Sequence, residues 1–372
     1  MMRSAGIKPG TVVGILGDGQ LGRLEIIRNA HLGLSFAVLG PGGKSSPAGQ
    51  LASWVKPWNR RGTVTERVLN EFCSQVSVVT IETESVSLDL VEQIEAKGKR
   101  VYPALNVLQI ARDRLLEKQF AQSLGIPVAP YRVIGSRADF PLGQHTVAKR
   151  SILKTRCGGY DSLGQVVIPG GQRLDNAWQT LRRVPCILEE AVDFAYEFSV
   201  IVFRNEAGQV LIYGPFENTH KDGILDVTRY PARPKLSEDA LERAINSSLA
   251  YAKEIAERLE LVGILTIENF ILENGAVLFN EMAPRVHNSG HLTMDCFDTC
   301  QYEQYVRAAC GLPFGSANCQ HAGVMTNLIG ADIEQVPKLL TRDVKLYLYG
   351  KSEVRPRRKM GHYTECIPLS CV

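Results

Sequence analysis

The chain has 372 residues, enough for two or three domains with a substantial hydrophobic core. Its 42 Lys and Arg nearly balance 39 Asp and Glu, and the formal charge of +3 argues against a general nucleic-acid or membrane binder. No apolar run approaches the ~18 residues of a membrane-spanning helix. Nine cysteines occur without a CxxC pair, which argues against structural zinc or a disulfide framework and predicts the reducing cytosol.

The N-terminal segment alternates short apolar strands with helices, the pattern of a doubly wound parallel sheet. A strand at 11–16 leads through residues 17–22 (G-D-G-Q-L-G) into a helix, which matches the G-x-G-x-x-G turn of dinucleotide sites. The next strand ends in the glycine-rich residues 40–43, where a dinucleotide site needs an acidic residue. We therefore expect the turn to bind a simple anion such as a phosphate, with Gln20 adding an amide contact.

Glu82 and Glu84 follow the strand at 76–81. The carboxyl ends of parallel strands line the ligand crevice, so these carboxylates mark a candidate site. Acidic residues in a solvated loop before the helix at 88–95 explain them equally well. Both interpretations stay open at this point.

A helix at 113–125 is followed by a strand at 147–153, which ends in Lys154 and a glycine-rich loop at 155–165. Backbone N–H groups of such a loop and one lysine can cover phosphates. The loop is not a Walker A motif, because no Gly-Lys-Ser/Thr opens a helix. A plain hairpin to the strand at 166–168 is the alternative.

Carboxylates also follow the next strands, as an adenosine site requires for its ribose. Glu189 and Glu190 end a strand at 186–192, and Glu197 begins the strand at 196–203. A polar turn is predicted at 218–223. Further along, we expect a packing helix at 238–260, a helix at 297–310 and a strand at 324–330.

Residues 274–275 (Asn-Gly) give the strongest two-residue hairpin signal in the chain. That turn places Ile271 opposite Leu278 and Glu268 opposite Glu281. Facing carboxylates lie ~5 Å apart at their Cβ atoms and repel each other. A shared proton would remove the repulsion, but the apolar flanks favour Mg²⁺ held by both carboxylates together with substrate phosphates.

A dense polar run follows this strand and includes Arg285, His287, Asn288, Ser289 and His291. So many hydrogen-bonding side chains after a core strand are costly for stability unless something binds there. A solvated loop is the alternative for the later residues of the run. The basic turn at 355–359, close to Lys351, suits a phosphate ester, with a solvated basic loop as its alternative.

Taken together, these motifs resemble the ATP-grasp enzymes and, among them, the 5-(carboxyamino)imidazole ribonucleotide synthase family of purine biosynthesis. The resemblance covers nearly the whole chain and rests on residues 17–22, 159–161, 220–223, 280–291 and 349–362. The run at 284–291 (P-R-x-H-N-S-G-H) is specific within the superfamily. Formate-dependent glycinamide ribonucleotide transformylases, the main alternative, carry a different run after the shared Pro-Arg.

The resemblance implies an α/β ATP-grasp fold with an α+β lid. Its expected parts are an N-terminal doubly wound parallel-sheet domain at 1–111, an ATP-grasp domain at 112–315 with the lid at about 130–192, and a small C-terminal domain at 316–372. It also implies a homodimer that uses ATP, Mg²⁺ and bicarbonate to carboxylate aminoimidazole ribonucleotide through carboxyphosphate. A nucleotide-binding homologue with impaired turnover is a further alternative.

The resemblance also implies roles for individual residues. Mg²⁺ is expected on Glu268 and Glu281. Asp161 is expected to accept the proton of the attacking amine, and Arg285, His287 and Asn288 to orient bicarbonate and carboxyphosphate. The expected substrate pocket comprises Gln20, Leu21, Glu82, Arg285, Lys351, Arg355 and Arg358. The expected ATP contacts are Arg114, Lys154, Gly159, Tyr160, Asp161, Ser162, Leu163, Gly164, Gln165, Glu189, Glu190, Ala191, Val192, Glu197, His220, Asn280 and Glu281.

Three features of the sequence depart from the family pattern. Ser162 and Leu163 replace a glycine and a basic residue of the lid loop, which predicts slower lid closure or weaker nucleotide binding. Arg357 replaces a small or polar turn residue. The chain ends at Val372, where the resemblance implies a further strand and helix, so we expect a shortened C-terminal domain that exposes apolar surface.

Overall fold

A computed structural model describes residues 8, 10–140, 146–159 and 163–371. Its N-terminal part is a parallel sheet with strand order β3-β2-β1-β4-β5, which confirms the predicted doubly wound domain. The strands are β1 (Val12–Leu16), β2 (Ser35–Gly40), β3 (Trp54–Pro57), β4 (Val78–Ile81) and β5 (Arg100–Tyr102). The helices are α1 (Gln20–Asn29), α2 (Glu66–Gln75), α3 (Leu88–Ala96) and α4 (Leu105–Ala111).

The second part begins with α5 (Arg114–Ser123), whose start is fixed by Asp113: its Oδ1 accepts a hydrogen bond from the Leu115 N–H at 2.9 Å. A small antiparallel sheet with strand order β6-β9-β7-β8 follows and forms the lid. Its elements are β6 (Tyr131–Ile134), β7 (Ser151–Thr155), β8 (Gln165–Ile168), α6 (Leu174–Thr180) and β9 (Cys186–Glu190). The predicted strand at 147–153 therefore begins later, at Ser151.

The rest of the chain is built on an eight-stranded sheet with strand order β14-β13-β10-β11-β12-β15-β17-β16. Its first elements are β10 (Tyr196–Arg204), β11 (Val210–Lys221), β12 (Ile224–Tyr230), α7 (Glu238–Arg258), β13 (Gly263–Ile271) and β14 (Val277–Ala283). They are followed by α8 (Thr293–Cys296), α9 (Gln301–Ala309), β15 (His321–Ile329), α10 (Val336–Leu339), β16 (Lys345–Leu348) and β17 (Lys359–Pro368). Helix α7 packs by a buried stripe of small and apolar residues, as predicted: Ala240, Ala244, Ser248, Ala252 and Ile255.

Two predicted elements are wrong. The polar segment at 218–223 belongs largely to β11, and only Asp222 and Gly223 form the turn, both with positive φ. The predicted helix at 297–310 begins later, because α9 starts only at Gln301 and Phe297 instead pairs with Cys319 in an isolated bridge. In both places, tertiary pairing with another strand overrides the local polarity pattern.

The three parts of the chain are packed into one body. The Tyr305 hydroxyl, on α9, lies 2.8 Å from the N–H of Ile81 and 2.5 Å from the carbonyl oxygen of Tyr102, both in the N-terminal sheet. From α1, Arg28 donates to the Met294 carbonyl at 3.0 Å. Within the described residues no helix is both long and apolar enough to cross a membrane. The eight described cysteines are free thiols.

Glu25, on α1, is a carboxyl group buried in the N-terminal domain. Its Oε1 lies 2.7 Å from Thr80 Oγ1, and the same hydroxyl lies 3.1 Å from the Gly14 carbonyl oxygen. The pKa of Glu25 is raised to about 8, mainly by burial. The Thr80 hydrogen bond lowers this pKa, and the nearby charge of Glu82 raises it. The Glu25 carboxyl is therefore mainly neutral at pH 7.

We expect Glu25 to make the stability of the protein depend on pH. Its folded-state pKa lies above the ordinary 4.5, so from pH 4.5 to about 8 the folded chain keeps a proton that the unfolded chain has released. The unfolding free energy therefore falls as pH rises through this window, by at most about 1.4 kcal/mol per pH unit. Urea unfolding should show Glu25→Gln gaining stability over wild type from the acidic to the basic end of the window.

The exposed Glu92, on α3, provides the control, and Glu92→Gln should follow the wild-type pH dependence. A constant difference between Glu25→Gln and wild type across the window would contradict the assignment of a neutral Glu25.

Candidate active site

The carboxylates of the β13–β14 hairpin are paired as predicted, Glu268 with Glu281. The predicted pairing of Ile271 with Leu278 is wrong, because Ile271 pairs with Val277. The turn is longer than the predicted two residues: its backbone closes between residues 272 and 276. A loop of this kind ends in a residue with positive φ, which the glycine of the Asn-Gly pair supplies at φ +79°.

A β-bulge at Asn280 explains why the carboxylates still face each other. The register shifts between Glu268 and its neighbour, so β14 holds one residue more than its partner strand. Phe279 and Met282 are buried in the core, whereas Asn280 and Glu281 between them are only half-buried. The bulge thus keeps two consecutive polar side chains out of the core, which strict alternation along a regular strand does not allow.

Each carboxylate of the pair has its own basic partner. Glu268 Oε1 lies 2.9 Å from His287 Nε2, and Glu281 Oε2 lies 3.6 Å from an Arg114 guanidinium nitrogen. Burial raises the pKa of Glu268, but the His287 hydrogen bond and the nearby positive charges together outweigh burial and hold this pKa below its usual range. Glu268 is therefore ionised, which disfavours the shared-proton interpretation of the pair.

The donor set fits Mg²⁺ held jointly with a substrate. Within the described ranges, no group of three or more His, Cys, Asp or Glu side chains could hold a metal ion. Two carboxylate side chains that face each other on neighbouring strands suit a hard cation that takes its remaining ligands from phosphate oxygens and water. Glu268 and Glu281 are the residues that would hold it.

Beside this pair lies a buried cluster of two lysines and one carboxylate. Glu189 lies 2.9 Å from Lys118 Nζ and 2.7 Å from Lys154 Nζ, and all three side chains are less than 10% exposed. Lys118 also donates to the bulge carbonyl of Asn280 at 3.1 Å. The cluster holds one positive charge more than it balances internally, so it favours an anionic ligand.

This cluster adds one residue to the candidate site. The side chain of Glu189, expected among the ATP contacts, forms ion pairs with the two lysines. Lys118 was missed by the sequence analysis, although its spacing of four residues from Arg114 places both on one face of α5.

Arg114 joins the lid to the hairpin. Its guanidinium donates to the carbonyls of Thr155 at 3.1 Å and Gly159 at 3.3 Å, and it also approaches Glu281. A Cβ atom on Gly159 would lie 2.6 Å from the Leu163 carbonyl oxygen and 2.9 Å from Arg114, so only glycine fits. The predicted contacts Tyr160, Asp161 and Ser162 lie outside the described residues.

The remaining lid residues surround the same region. Gly164 closes the loop, its carbonyl accepting from the Thr155 N–H at 2.8 Å, and Gln165 pairs with Lys154 across β7 and β8. Glu190 pairs with Lys149 at 3.0 Å. Three further residues expected at the nucleotide lie where the chain leaves the sheet: the half-buried Ala191 and Val192 directly after β9 and the exposed Leu163 in the lid loop.

Glu197 and His220, both expected to contact the nucleotide, contact each other. Glu197 Oε2 lies 2.5 Å from His220 Nδ1 across β10 and β11. Burial lowers the pKa of His220, but the hydrogen bond and charge of Glu197 outweigh it and leave the pKa raised. A ribose hydroxyl would share Glu197 with this histidine.

The first turn holds a protein carboxylate instead of the free anion that we expected. Cβ atoms on Gly17 and Gly19 would lie 2.3 and 2.5 Å from the Glu82 carboxylate oxygens, and the Leu21 N–H donates to Glu82 at 3.3 Å. Burial raises the pKa of Glu82 to about 7, against the opposing charge of Arg285. The glycines thus make room for Glu82, and the solvated-loop interpretation of this carboxylate is wrong.

Arg285 crosses from the ATP-grasp part of the chain to the N-terminal domain. Its guanidinium forms a two-pronged ion pair with Glu84, one contact measuring 3.1 Å. Burial opposes ionisation of Glu84, but Arg285 outweighs it and lowers the pKa of Glu84 to about 2. The predicted bicarbonate ligand is therefore held in place by a carboxylate that follows β4.

His287 and Asn288, expected to orient bicarbonate and carboxyphosphate, are both hydrogen-bonded within the protein. The side-chain amide of Asn288 exchanges two hydrogen bonds with Asn327, at 3.0 and 2.7 Å. The Gln301 side chain binds both the N–H and the carbonyl of His287, at 2.9 and 2.7 Å. Both ring nitrogens of His287 also have partners, Glu268 and Ser289.

Gly350, directly before Lys351, is connected to α1 through Gln50. The Gln50 amide donates to the Gly350 carbonyl at 2.9 Å and its oxygen accepts from Arg23 at 3.0 Å. Arg23, on the same helix as Gln20 and Leu21, was also missed by the sequence analysis, although it directly follows the G-D-G-Q-L-G run. The segment around Lys351 thus approaches the predicted substrate pocket.

Within the turn, the basic side chains are oriented by neighbouring backbone and carboxylate groups. Lys351 donates to the Lys359 carbonyl at 2.6 Å, and Arg358 donates to the Glu353 carbonyl at 3.0 Å. The Glu353 carboxylate forms an ion pair with Arg355. Arg355, one of the residues expected at the substrate phosphate, is thus already balanced by an acidic side chain.

The sequence of the chain matches three family models in order. Residues 11–112 match the ribonucleotide synthetase preATP-grasp domain, 119–302 the ATP-grasp domain and 323–366 the phosphoribosylaminoimidazole carboxylase C-terminal domain. The chain is 38% identical to an N5-carboxyaminoimidazole ribonucleotide synthase of Brucella melitensis over 99% of both proteins.

Two solved structures are similar over nearly the whole chain. The N5-carboxyaminoimidazole ribonucleotide synthetase of Thermus thermophilus is 36% identical with a TM-score of 0.83, covering 95% of this chain and 93% of that one. The N5-carboxyaminoimidazole synthetase of Staphylococcus aureus, solved with ADP, is 28% identical with a TM-score of 0.87, covering 97% and 94%. The chain belongs to the N5-carboxyaminoimidazole ribonucleotide synthase family of ATP-grasp enzymes.

Proposed function

We propose that this protein uses ATP and bicarbonate to carboxylate the exocyclic amine of 5-aminoimidazole ribonucleotide, releasing ADP and phosphate. The observation that supports this most directly is the position of Arg285. It follows the strand that holds Glu281 and forms its ion pair with Glu84 of the N-terminal domain. A group transferred from ATP at the hairpin is therefore delivered beside the pocket expected to hold the second substrate.

ATP would bind between the lid sheet and the β13–β14 hairpin. The surplus positive charge of Lys118 and Lys154 beside Glu189 favours its phosphates, and Arg114 connects the lid loop to Glu281. Mg²⁺ on Glu268 and Glu281 would neutralise charge on the transferring phosphoryl group. Bicarbonate attacks that group to give carboxyphosphate and ADP.

Arg285 would counter the negative charge that develops on carboxyphosphate. Carboxyphosphate then releases CO₂ within the closed site, and the substrate amine captures it. Glu82 and Gln20 would line the amine pocket, while Lys351, Arg358 and the newly identified Arg23 would face the ribonucleotide phosphate. Glu82 is suited to hydrogen-bond an amine in either protonation state, because its pKa is about 7.

Phosphate release from ATP and bicarbonate, measured with and without aminoimidazole ribonucleotide, tests this proposal. Stimulation by aminoimidazole ribonucleotide is the expected result. Stimulation only by formate with glycinamide ribonucleotide would favour the transformylase alternative, and tight ATP binding without release under any condition would favour a homologue with impaired turnover.

Asp161 remains our candidate for the group that accepts the amine proton. We expect Asp161→Asn to lower turnover by at least about 100-fold, the range of general-base contributions. ATP binding should be little changed, because the described phosphate-facing charges lie on other residues. Turnover and nucleotide titrations of the purified variant measure the two effects, and unchanged turnover would refute the role.

A homodimer in the reducing cytosol completes the proposal. The free state of the eight described cysteines supports a reducing setting. Light scattering coupled to size-exclusion chromatography tests the dimer directly.

A further inference from the structure

A chain of buried hydrogen bonds runs from β12 through two neighbouring strands to His287. Thr228 Oγ1 lies 2.9 Å from Asn218 Oδ1, and Asn218 Nδ2 lies 2.9 Å from Ser199 Oγ. Ser199 Oγ lies 2.7 Å from Ser289 Oγ, which lies 2.8 Å from His287 Nδ1. Ser199, Ser289 and Thr228 have no exposed surface.

The direction of this chain follows from its His287 end. The Ser289 backbone N–H donates to His287 Nδ1 at 3.3 Å, so Nδ1 presents its lone pair and carries no proton. The Ser289 hydroxyl, 2.8 Å from the same nitrogen, must then donate as well. Ser199 is left to donate to Ser289, and Ser199 in turn accepts from the Asn218 amide.

At its other ring nitrogen, His287 faces the acceptor Glu268. A proton on Nε2 satisfies the 2.9 Å contact with the carboxylate. Because every hydroxyl in the chain donates toward His287, moving the proton to Nδ1 would require reversing all of them and would leave two lone pairs facing each other at Glu268. A buried network of this kind strongly favours one arrangement.

We infer that Ser289, Ser199 and Asn218 are positioning residues that fix His287 in the tautomer with its proton on Nε2, directed at Glu268. In this tautomer His287 holds Glu268 in place opposite Glu281. Neighbours that orient the ligands of a metal site have this effect elsewhere in proteins. The catalytic consequence rests on the proposed function, whereas the tautomer does not.

Asn218→Asp tests the inference, because it preserves shape and removes the donor that orients Ser199. The aspartate accepts from both neighbours, so Ser199 and Ser289 reverse and the Ser289 hydroxyl no longer donates to Nδ1. NMR of protein with isotope-labelled histidine shows which ring nitrogen is protonated, and the His287 signal is assigned by its loss in His287→Gln. We expect wild type to show the proton on Nε2 and Asn218→Asp to show an increased fraction of the tautomer with the proton on Nδ1.

A second variant and a control guard against misfolding. Ser199→Ala removes the middle link and should give a mixture of tautomers. Ser248→Ala deletes an equally buried hydroxyl on α7, remote from the chain, and should leave the His287 signal and turnover unchanged. In Asn218→Asp and Ser199→Ala, kcat should fall about 10- to 100-fold, the usual effect of losing a partner that orients a metal ligand.

None of the hydrogen bonds that link Thr228, Asn218, Ser199, Ser289 and His287 involves a residue of the predicted ribonucleotide pocket. KM for aminoimidazole ribonucleotide should therefore stay close to the wild-type value. A His287 proton on Nδ1 in wild type, or a folded Asn218→Asp variant with wild-type tautomer and kcat, would overturn the inference. The NMR result needs no substrate, so failure of the proposed activity is recorded separately by the turnover assay.

Discussion

Replacing Glu268 with glutamine is expected to reduce turnover by at least about 100-fold, since loss of a metal ligand should cost no less than loss of its supporting neighbours. Glutamine has nearly the same shape and can still accept the His287 hydrogen bond, so the hairpin should keep its register. The ionised carboxylate that would hold Mg²⁺ opposite Glu281 is lost. The measurement is ADP release with bicarbonate and aminoimidazole ribonucleotide at increasing Mg²⁺.

The same hairpin provides the matched control. Glu273 lies exposed in its turn, and Glu273→Gln removes an equal charge without touching the carboxylate pair. It should retain wild-type turnover. If Glu268→Gln kept turnover within a few-fold of wild type, the hairpin pair would not be the metal site.

The second large effect is expected on stability. Glu189→Gln leaves Lys118 and Lys154 buried without their counter-charge, and breaking a buried ion pair on one side costs about 3–5 kcal/mol. The loss should appear as a lower unfolding free energy in urea. A nucleoside triphosphate analogue with Mg²⁺ should narrow the difference in unfolding free energy between variant and wild type. Its phosphates replace the missing negative charge, and it binds only the folded state.

Glu190→Gln, one residue further along β9, is the control for this experiment. Glu190 pairs with the exposed Lys149, and a surface pair of this kind is worth at most about 1 kcal/mol. A stability gap for Glu189→Gln that nucleotide leaves unchanged would show that the two lysines do not face the phosphates.

Where an expectation rested on pairing between neighbouring strands, the sequence predicted the site well. Glu268 faces Glu281 as expected, although through two differences that cancel: a longer turn and a bulge at Asn280. An Asn-Gly pair fits both two- and three-residue turns, so local sequence could not choose between them. The bulge was also hidden, because Asn280 and Glu281 could have alternated along a regular strand.

Contacts whose partners are distant in the chain could not be predicted. Glu84 and Arg285 are 201 residues apart, and no local pattern indicates their ion pair. The same holds for Asn288, whose amide exchanges hydrogen bonds with Asn327 of β15. His220 was placed in a turn because of its polar neighbours, although it pairs with Leu225 of β12 and is thereby part of a strand.

Both missed residues are cations whose contacts depend on how distant parts of the chain pack together. Lys118, on an amphipathic helix, had the pattern of a solvated side chain, and its contact with Glu189 depends on how the lid packs on α5. Arg23 follows a recognised glycine-rich run, but it is linked to Gly350 only through Gln50, and Gln50 and Gly350 are 300 residues apart.

The continuous eight-stranded sheet limits how this protein could be recombined with its relatives. Strand β15 pairs with β12, so the boundary between the second and third sequence segments is a row of backbone hydrogen bonds within one sheet. The Asn288–Asn327 amide pair lies across the same boundary. A chimera that takes its C-terminal segment from a relative must therefore match strand register and this asparagine pair together, and a crossover in the loop before β15 cannot be chosen from loop sequence alone.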